Sequence, residues 1–548
     1  MRPASPRRLS RAVLIGAAAL AIVVVVVVVV LVSGGSSSDD QSASTPKATP
    51  AAPAPAPDQP KTPAAPAAKA DLASTRSGYP NVDLANTRSV GGPITAANVS
   101  TLSKAWSHPL TAASVYGSYS SSPVVIDGVI YSQDLASNVE ALDLRTGAAL
   151  WRKDYDSPDQ GPNGITVAGG RVYGATGTSA FALDRKTGKE LWSVKLVSSS
   201  HKGIDMAPGY HHGLVYVSTV PGNAKEFYKG GGPGVLWALN AATGKKVWSF
   251  NTNPLTGEAA KHSDINSGGG LWYTPAFDSD GSMYIGVGNP GPFPGTDEFP
   301  WGSSRPGPNL YTNSLVKLDA ATGKMKWYYQ LTPHDIYDWD LQDPPILTKV
   351  KGKDAVLAAG KGGIVIAVDR SSGKLLWKRP VGTHNGHDKD SLAAMKRDYS
   401  KLTLPMEVYP GQLGGVIAPM ATDGSLVFVP VVNSSQIISA QGTVGAGQST
   451  SGQIVAIDLD TGKIKWDQTF QSPAFGATMV ANDVVFATTY DGVLHALAAK
   501  TGKVAWETTL PVRTNTGVVV DGDTVIAPAG AGPGAAIMGY RLGGAAKP

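Results

Sequence analysis

From about residue 100 onward the chain is written in short runs where apolar and polar positions alternate, separated by Gly, Asp, Asn and Pro. Pro123-Val124-Val125-Ile126-Asp127-Gly128-Val129-Ile130-Tyr131 is one such pair of runs around a turn. A period of two predicts strands, and the spacing of the turns predicts antiparallel hairpins. One phrase recurs: Ala-Leu-Asp-x-x-Thr-Gly-x-x-x-Trp, or close variants, ending at Trp151, Trp192, Trp248, Trp327, Trp377, Trp466 and Trp506. In each copy a strand ends at an acidic or amide position (Ala498 in the last), Thr-Gly or once Ser-Gly makes a tight turn, and a return strand carries the Trp. Four short strands per repeat of about 40–45 residues is the pattern of a propeller blade.

The ends of the repeat region complete the count. Trp106 sits on a return strand that no Leu-Asp-Thr-Gly strand precedes, and Ile537-Met538-Gly539-Tyr540-Arg541-Leu542 is a strand with no Trp strand after it. Pairing these two removes a sheet edge and makes an eighth blade. The expected fold is therefore all-β, an eight-bladed β-propeller over residues 75–548 closed by its N- and C-terminal strands. The eight tryptophans are expected to pack blade against blade.

Upstream the pattern changes. Ala12 to Val32 carries no charge and includes the unbroken run Val23–Val30; Arg2, Arg7, Arg8 and Arg11 precede it. About 20 apolar residues span a bilayer core, and flanking arginines stay on the cytoplasmic side. Residues 1–32 thus predict a basic cytoplasmic segment and a single transmembrane helix, with a long cleaved signal peptide as the alternative. In either case the body is exported. Residues 33–74 are Ser-, Pro- and Ala-rich, including Ala51-Ala52-Pro53-Ala54-Pro55-Ala56-Pro57. Such a stretch favours extended, disordered backbone and acts as a spacer. The expected location is the cell membrane, with the propeller outside the cytoplasm.

Composition mainly excludes. With no cysteine among 548 residues there is no disulfide, thiolate metal site, thiol nucleophile or C-x-x-C-H haem attachment. The net charge of +5 is carried largely by the four N-terminal arginines. The remaining body is close to neutral and has no electrostatic footprint for nucleic acid.

Candidate chemistry lies outside the repeat, mostly between Trp248 and Lys361. Gly268-Gly269-Gly270-Leu271-Trp272 places an indole out of register with the blade motif; Gly288-Asn289-Pro290 ends a strand; Asp338 and Asp340 stand two apart in an aromatic, turn-rich segment. Carboxylates with an amide oxygen suit a hard cation such as calcium or a larger analogue. Each feature also has an ordinary reading as solvated turn or core. His384 and His387 read as a polar surface loop.

The stretch from Asp83 to Leu542 resembles the quinoprotein alcohol dehydrogenases, eight-bladed propellers that bind pyrroloquinoline quinone. Asp83-Leu84-Ala85-Asn86-Thr87-Arg88 looks like the family's N-terminal signature. Arg305-Pro306-Gly307-Pro308-Asn309-Leu310-Tyr311-Thr312-Asn313-Ser314, followed by Pro333-His334-Asp335 and then Asp338 and Asp340, resembles its most specific block. The resemblance implies that Trp272 is the floor on which the quinone stacks and that Asp338 is the general base. It implies a metal, Ca2+ or a lanthanide ion, held by Glu226, Asn289, Asp338 and Asp340, with Asp340 the carboxylate of the lanthanide-using branch. Lys361 would touch the quinone oxygens, and Gly414 and Gly415 would form a loop near the cofactor. Asn163 stands where the family has a cofactor-binding Arg. The family's adjacent cysteines are missing, and the segment after Glu226 is longer by about three residues.

These features imply oxidation of a small or polymeric alcohol by hydride transfer to the metal-activated quinone. With no attached haem, electrons pass to a separate acceptor, a cytochrome or another carrier. A different class stays open: a non-catalytic envelope scaffold that keeps the blades and has lost the cofactor.

Overall fold

A computed structural model describes residues 78–543 apart from 113, 115, 199–201, 222–227, 401 and 440–443. The predicted anchor (1–32), the whole linker (33–74) and Glu226 therefore lie outside the described residues. Among the described residues no helix is long and apolar enough to cross a membrane.

Eight antiparallel sheets contain four strands in sequence order, as the repeat predicts: 124–153, 166–195, 209–251, 276–330, 346–380, 421–470, 479–509 and 519–542. The last is completed by Leu102–Pro109, which pairs antiparallel with Ala536–Leu542 and sets Trp106 opposite Gly539. The expected closure of the two chain ends is what the structure shows. Eight apolar interfaces join consecutive blades around a ring. One unites Val124 and Tyr131 of the first blade with Val172 and Phe181 of the second. The ring closes where Ile526 and Ile537 of the eighth meet Val125 and Leu142 of the first. With no disulfide available, these buried faces hold the ring together.

The repeat motif proves to be a joint between blades. Trp106 Nε1 donates to the Leu144 carbonyl of the next blade (3.0 Å), Trp151 to Arg185 (3.0 Å) and Trp248 to Ala320 (3.2 Å). The indole lies over the glycine of that blade's Thr-Gly turn. A Cβ on Gly147 would come 2.4 Å from the Trp106 ring, and one on Gly323 2.5 Å from Trp248. Glycine is thus required twice, for its positive φ and for the contact. The acidic residue fixes the turn: Asp143 Oδ1 accepts from the backbone and hydroxyl of Thr146. Trp506 has no such seat, because the eighth blade's third and fourth strands come from opposite ends of the chain. It packs edge-on against Tyr540 instead, ring centroids 5.7 Å apart.

The N-terminal segment has a structural role. Leu84, Ala85, Thr87 and Arg88 offer carbonyls to Phe277, Leu347, Thr422 and Val480, each on the innermost strand of a different blade. Arg88 is buried and donates to the Thr478 and Val518 carbonyls (2.6 and 3.0 Å). Burial holds this guanidinium down at about 10. The segment straps one end of the ring. The opposite end, where innermost strands begin and second strands finish, carries the candidate residues.

Candidate active site

Four backbone contacts assemble the site. The glycine run 268–270 lets two chain segments touch: Gly269 N donates to the Asn289 carbonyl (2.8 Å), and Gly288 N to that of Gly270 (2.9 Å). A Cβ on Gly268 would fall 2.3 Å from the Asn289 carbonyl oxygen. Lys361 N donates to the Asp340 carbonyl (3.0 Å), and a Cβ on Gly360 would collide with that same oxygen. Gly415, at φ +71°, lies against the Lys361 backbone, where a Cβ would meet the Lys361 carbonyl. Gly415 thus supports the lysine from behind, while Gly414 closes the preceding turn by donating to the Gly411 carbonyl (2.9 Å).

The side chains then converge. Lys361 Nζ stands 2.9 Å from Asp338 Oδ2 and 2.7 Å from Asp340 Oδ2. Asp340 Oδ1 accepts from Asn289 N (2.5 Å). A Cβ on Gly288 would come 2.7 Å from Asp340 Oδ1 and 3.2 Å from Trp272 Nε1, so the indole borders the same cluster. Trp272, Asn289, Asp338, Asp340 and Lys361 are all brought together. Asn163 lies apart from this cluster. Its amide donates to the Asp134 carbonyl (2.7 Å), and it lines a small axial cavity of about 40 Å3 with Ser121, Tyr273 and Asn515.

The acid cluster is buried; Asp338, Asp340 and Lys361 are 5%, 1% and 8% exposed. Burial pushes the Asp338 carboxyl well up, Lys361 opposes this, and the Asp340 charge adds to it. Burial disfavours the Lys361 ammonium, but Asp338 and Asp340 more than offset that and raise its pKa. The ammonium keeps its proton, and Asp338 holds one more readily than an ordinary aspartate. Asp338 Oδ2 accepts from Lys361; its Oδ1 is buried without a partner.

The block around it is scaffolding for Asp338, which has φ +64°. Asp335 accepts from Tyr337 N at one oxygen (2.9 Å) and Trp339 N at the other (2.7 Å), closing the turn from both sides of Asp338. Arg305 NH2 donates to the Asp335 carbonyl (2.8 Å), and Asn313 to that of Trp339 (3.0 Å). Trp339 Nε1 reaches the Pro410 carbonyl (2.9 Å), and Tyr337 OH reaches Asp390 (2.7 Å). His384 and His387, both half-buried, bond Asp388 and the buried Asp390 (2.8 and 2.6 Å).

Sequence reasoning missed three groups. The Tyr228 phenol is raised by burial and by nearby Asp338. Asp159 and Asp205 form a buried pair, and the Asp205 carboxyl is pushed well up by burial and by its partner. Asp343 is fully buried with neither oxygen partnered. None carries a motif, and only tertiary structure brings them near the axis. Among the described residues no three His, Asp or Glu side chains gather as a metal cage. The two carboxylates, the free Asp338 oxygen and the adjacent Asn289 still form a hard-oxygen set that fits such an ion.

Comparison with known proteins agrees with this geometry. The chain is 31% identical over 488 residues to the quinohemoprotein alcohol dehydrogenase of Comamonas testosteroni, covering 76% of this chain and 67% of that protein. It is 30% identical to the quinoprotein alcohol dehydrogenase PedH of Pseudomonas putida, covering 69% and 72%. The chain belongs to the quinoprotein alcohol dehydrogenases. The family signature described as glucose/ethanol/alcohol dehydrogenase, beta-propeller domain, matches residues 88–171 and 207–394. Among solved structures, the quinohemoprotein alcohol dehydrogenase ADHIIG of Pseudomonas putida HK5 superposes with a TM-score of 0.75 at 27% identity, over 86% of this chain and 80% of that one. A second signature, outer membrane protein assembly factor BamB, matches 135–270 and 412–540. It skips the stretch that holds Trp272, Asn289, Asp338, Asp340 and Lys361, so what it shares is blade repeat. As a member of the quinoprotein dehydrogenases the chain is an oxidoreductase of the alcohol-dehydrogenase type that uses pyrroloquinoline quinone.

Proposed function

We propose that this protein oxidises an alcohol at the Asp338–Lys361–Asp340 cluster, as an exported enzyme tethered to the membrane by residues 12–32. The observation that carries the reading is the divided role of Asp338: one oxygen is held by Lys361 and the other is buried and free. When bound, the quinone supplies a two-electron, hydride-accepting centre, and the Ca2+ or lanthanide ion supplies a Lewis acid. Trp272 offers the flat face for stacking. Asn289, Asp338 and Asp340 are the described residues that would hold the ion, with Glu226 as the fourth ligand implied by the family. Asp338 Oδ1 takes the hydroxyl proton of the alcohol as general base. Lys361 holds Asp338 in orientation and supplies positive charge beside the cofactor's oxygens. Electrons leave to a separate carrier.

The uncharged 21-residue run and its flanking arginines support the anchor and the outward-facing propeller. The test is reconstitution of the full chain with quinone and either Ca2+ or La3+, following dye reduction with small and polymeric alcohols. Quinone retained on the protein, turnover in wild type and loss of turnover in Asp338→Asn are expected. A protein that retains no quinone and turns over no alcohol refutes the proposal and leaves the scaffold reading.

A further inference from the structure

The two carboxylates proposed to hold the metal are already paired. Lys361 Nζ reaches Asp338 Oδ2 at 2.9 Å and Asp340 Oδ2 at 2.7 Å, and the lysine is 8% exposed. Its backbone is fixed from two sides, by the Asp340 carbonyl and by the Gly415 turn. The side chain is therefore aimed at the acids by the fold itself. A cation placed against both carboxylates would come within a few ångströms of the ammonium, a repulsion that a buried, low-dielectric site cannot screen. We infer that Lys361 is a built-in competitor for the metal: the ion enters by displacing the ammonium from the carboxylates, and the freed ammonium turns toward the cofactor. Metal loading and correct placement of Lys361 are then one event, and a protein without the ion keeps its acids neutralised in place of two unpaired buried charges.

This inference rests on the reading of Asp338 and Asp340 as metal ligands, and the experiment separates the two. The full chain, purified in detergent and stripped with chelator, is titrated with Tb3+ without quinone. Binding is read as luminescence sensitised by the neighbouring indoles Trp272 and Trp339. Lys361→Met removes the competitor and is expected to bind Tb3+ roughly tenfold tighter or more, since loss of the ammonium leaves uncompensated buried carboxylates. Lys361→Arg keeps the charge and is expected to stay near wild type. In chelator Lys361→Met melts below wild type, and Tb3+ raises its melting temperature by more than it raises that of wild type. If the Met variant does not fold without metal, Lys361→Gln is titrated in the same way. Tb3+ binding that is equal or weaker without the ammonium overturns the competition while keeping the metal site. No sensitised luminescence in any variant overturns the metal reading itself.

Discussion

Asp335 gives the sharpest test of how the fold presents the proposed base. Its carboxylate accepts from Tyr337 N (2.9 Å) and Trp339 N (2.7 Å), one to each oxygen, and so holds the turn on which Asp338 adopts φ +64°. Asp335→Asn keeps the volume but gives one of these two N–H groups an amide donor to face. One charge-assisted bond is lost and the other weakened, each worth about 1.5–3 kcal/mol, and one buried donor is left unpaired. We expect about 2–4 kcal/mol of lost stability, seen as a shifted denaturant midpoint with unchanged slope. The chemical effect is separable from that. A non-glycine residue at positive φ relaxes once its clamp is gone, and a displacement of about 1 Å at a reacting group costs on the order of 100-fold in rate. The quinone-loaded variant should lose kcat with little change in KM, although Asp335 is too far into the turn to touch the alcohol. Wild-type kcat in a stably folded Asp335→Asn protein would refute the argument that this carboxylate orients Asp338.

Other outcomes follow from the same geometry. Asp338→Asn should lower kcat by about 10^2–10^4-fold while leaving quinone retention measurable by absorbance. Burial alone pushes the Asp343 carboxyl well above its unfolded value. Its contribution is fully present below the unfolded pKa and fades as pH rises from there toward the folded one, so Asp343→Asn should flatten the fall in melting temperature over that interval. Gly323→Ala drives a Cβ to 2.5 Å from Trp248 at a positive φ and should cost about 1–3 kcal/mol, read by thermal melting.

The blades were legible because their signal is local and repeated. Alternation, the Asp and Thr-Gly turn and the Trp spacing recur, and the orphan strands at Trp106 and Tyr540 announce closure. What the motif did not disclose is its direction: each Trp except Trp506 is seated on the next blade's glycine, from Trp466 on Gly502 to Trp377 on Gly462, tens of positions away along the chain. At the site, Trp272, Asn289, Asp338, Asp340 and Lys361 were readable through resemblance, and the fold unites them. Asn163, which the resemblance sets near the cofactor, lines the axial cavity with Tyr273. The part played by Asp335 and Arg305 was hidden, because a buried acid closing a turn looks like any loop aspartate. Asp159, Asp205 and Tyr228 were invisible for a simpler reason. Their neighbours come from loops of different blades, and no spacing along the chain records that.

The glycines distinguish an enzyme from a scaffold more firmly than the charged residues do. Blade stability needs glycine at Gly147, Gly188, Gly244, Gly323, Gly373, Gly462 and Gly502, where a Trp ring covers the turn. It gives no reason for Gly268, Gly288, Gly360 and Gly415, which lie outside that joint. At each of these a Cβ would strike a backbone or carboxylate atom of Asn289, Asp340 or Lys361. Glycine loses more backbone entropy on folding than alanine, by roughly 0.5–1 kcal/mol per position. A propeller needing only its blades would gain stability by replacing them and letting the loops move apart. The chain instead bears that cost at four positions, three of them against Asp340 or Lys361 and the fourth, Gly268, against Asn289. Substituting alanine at Gly288 or Gly360 should therefore leave blade packing intact while weakening Tb3+ and quinone binding. A variant that melts like wild type and binds both ligands normally would return these glycines to ordinary loop chemistry.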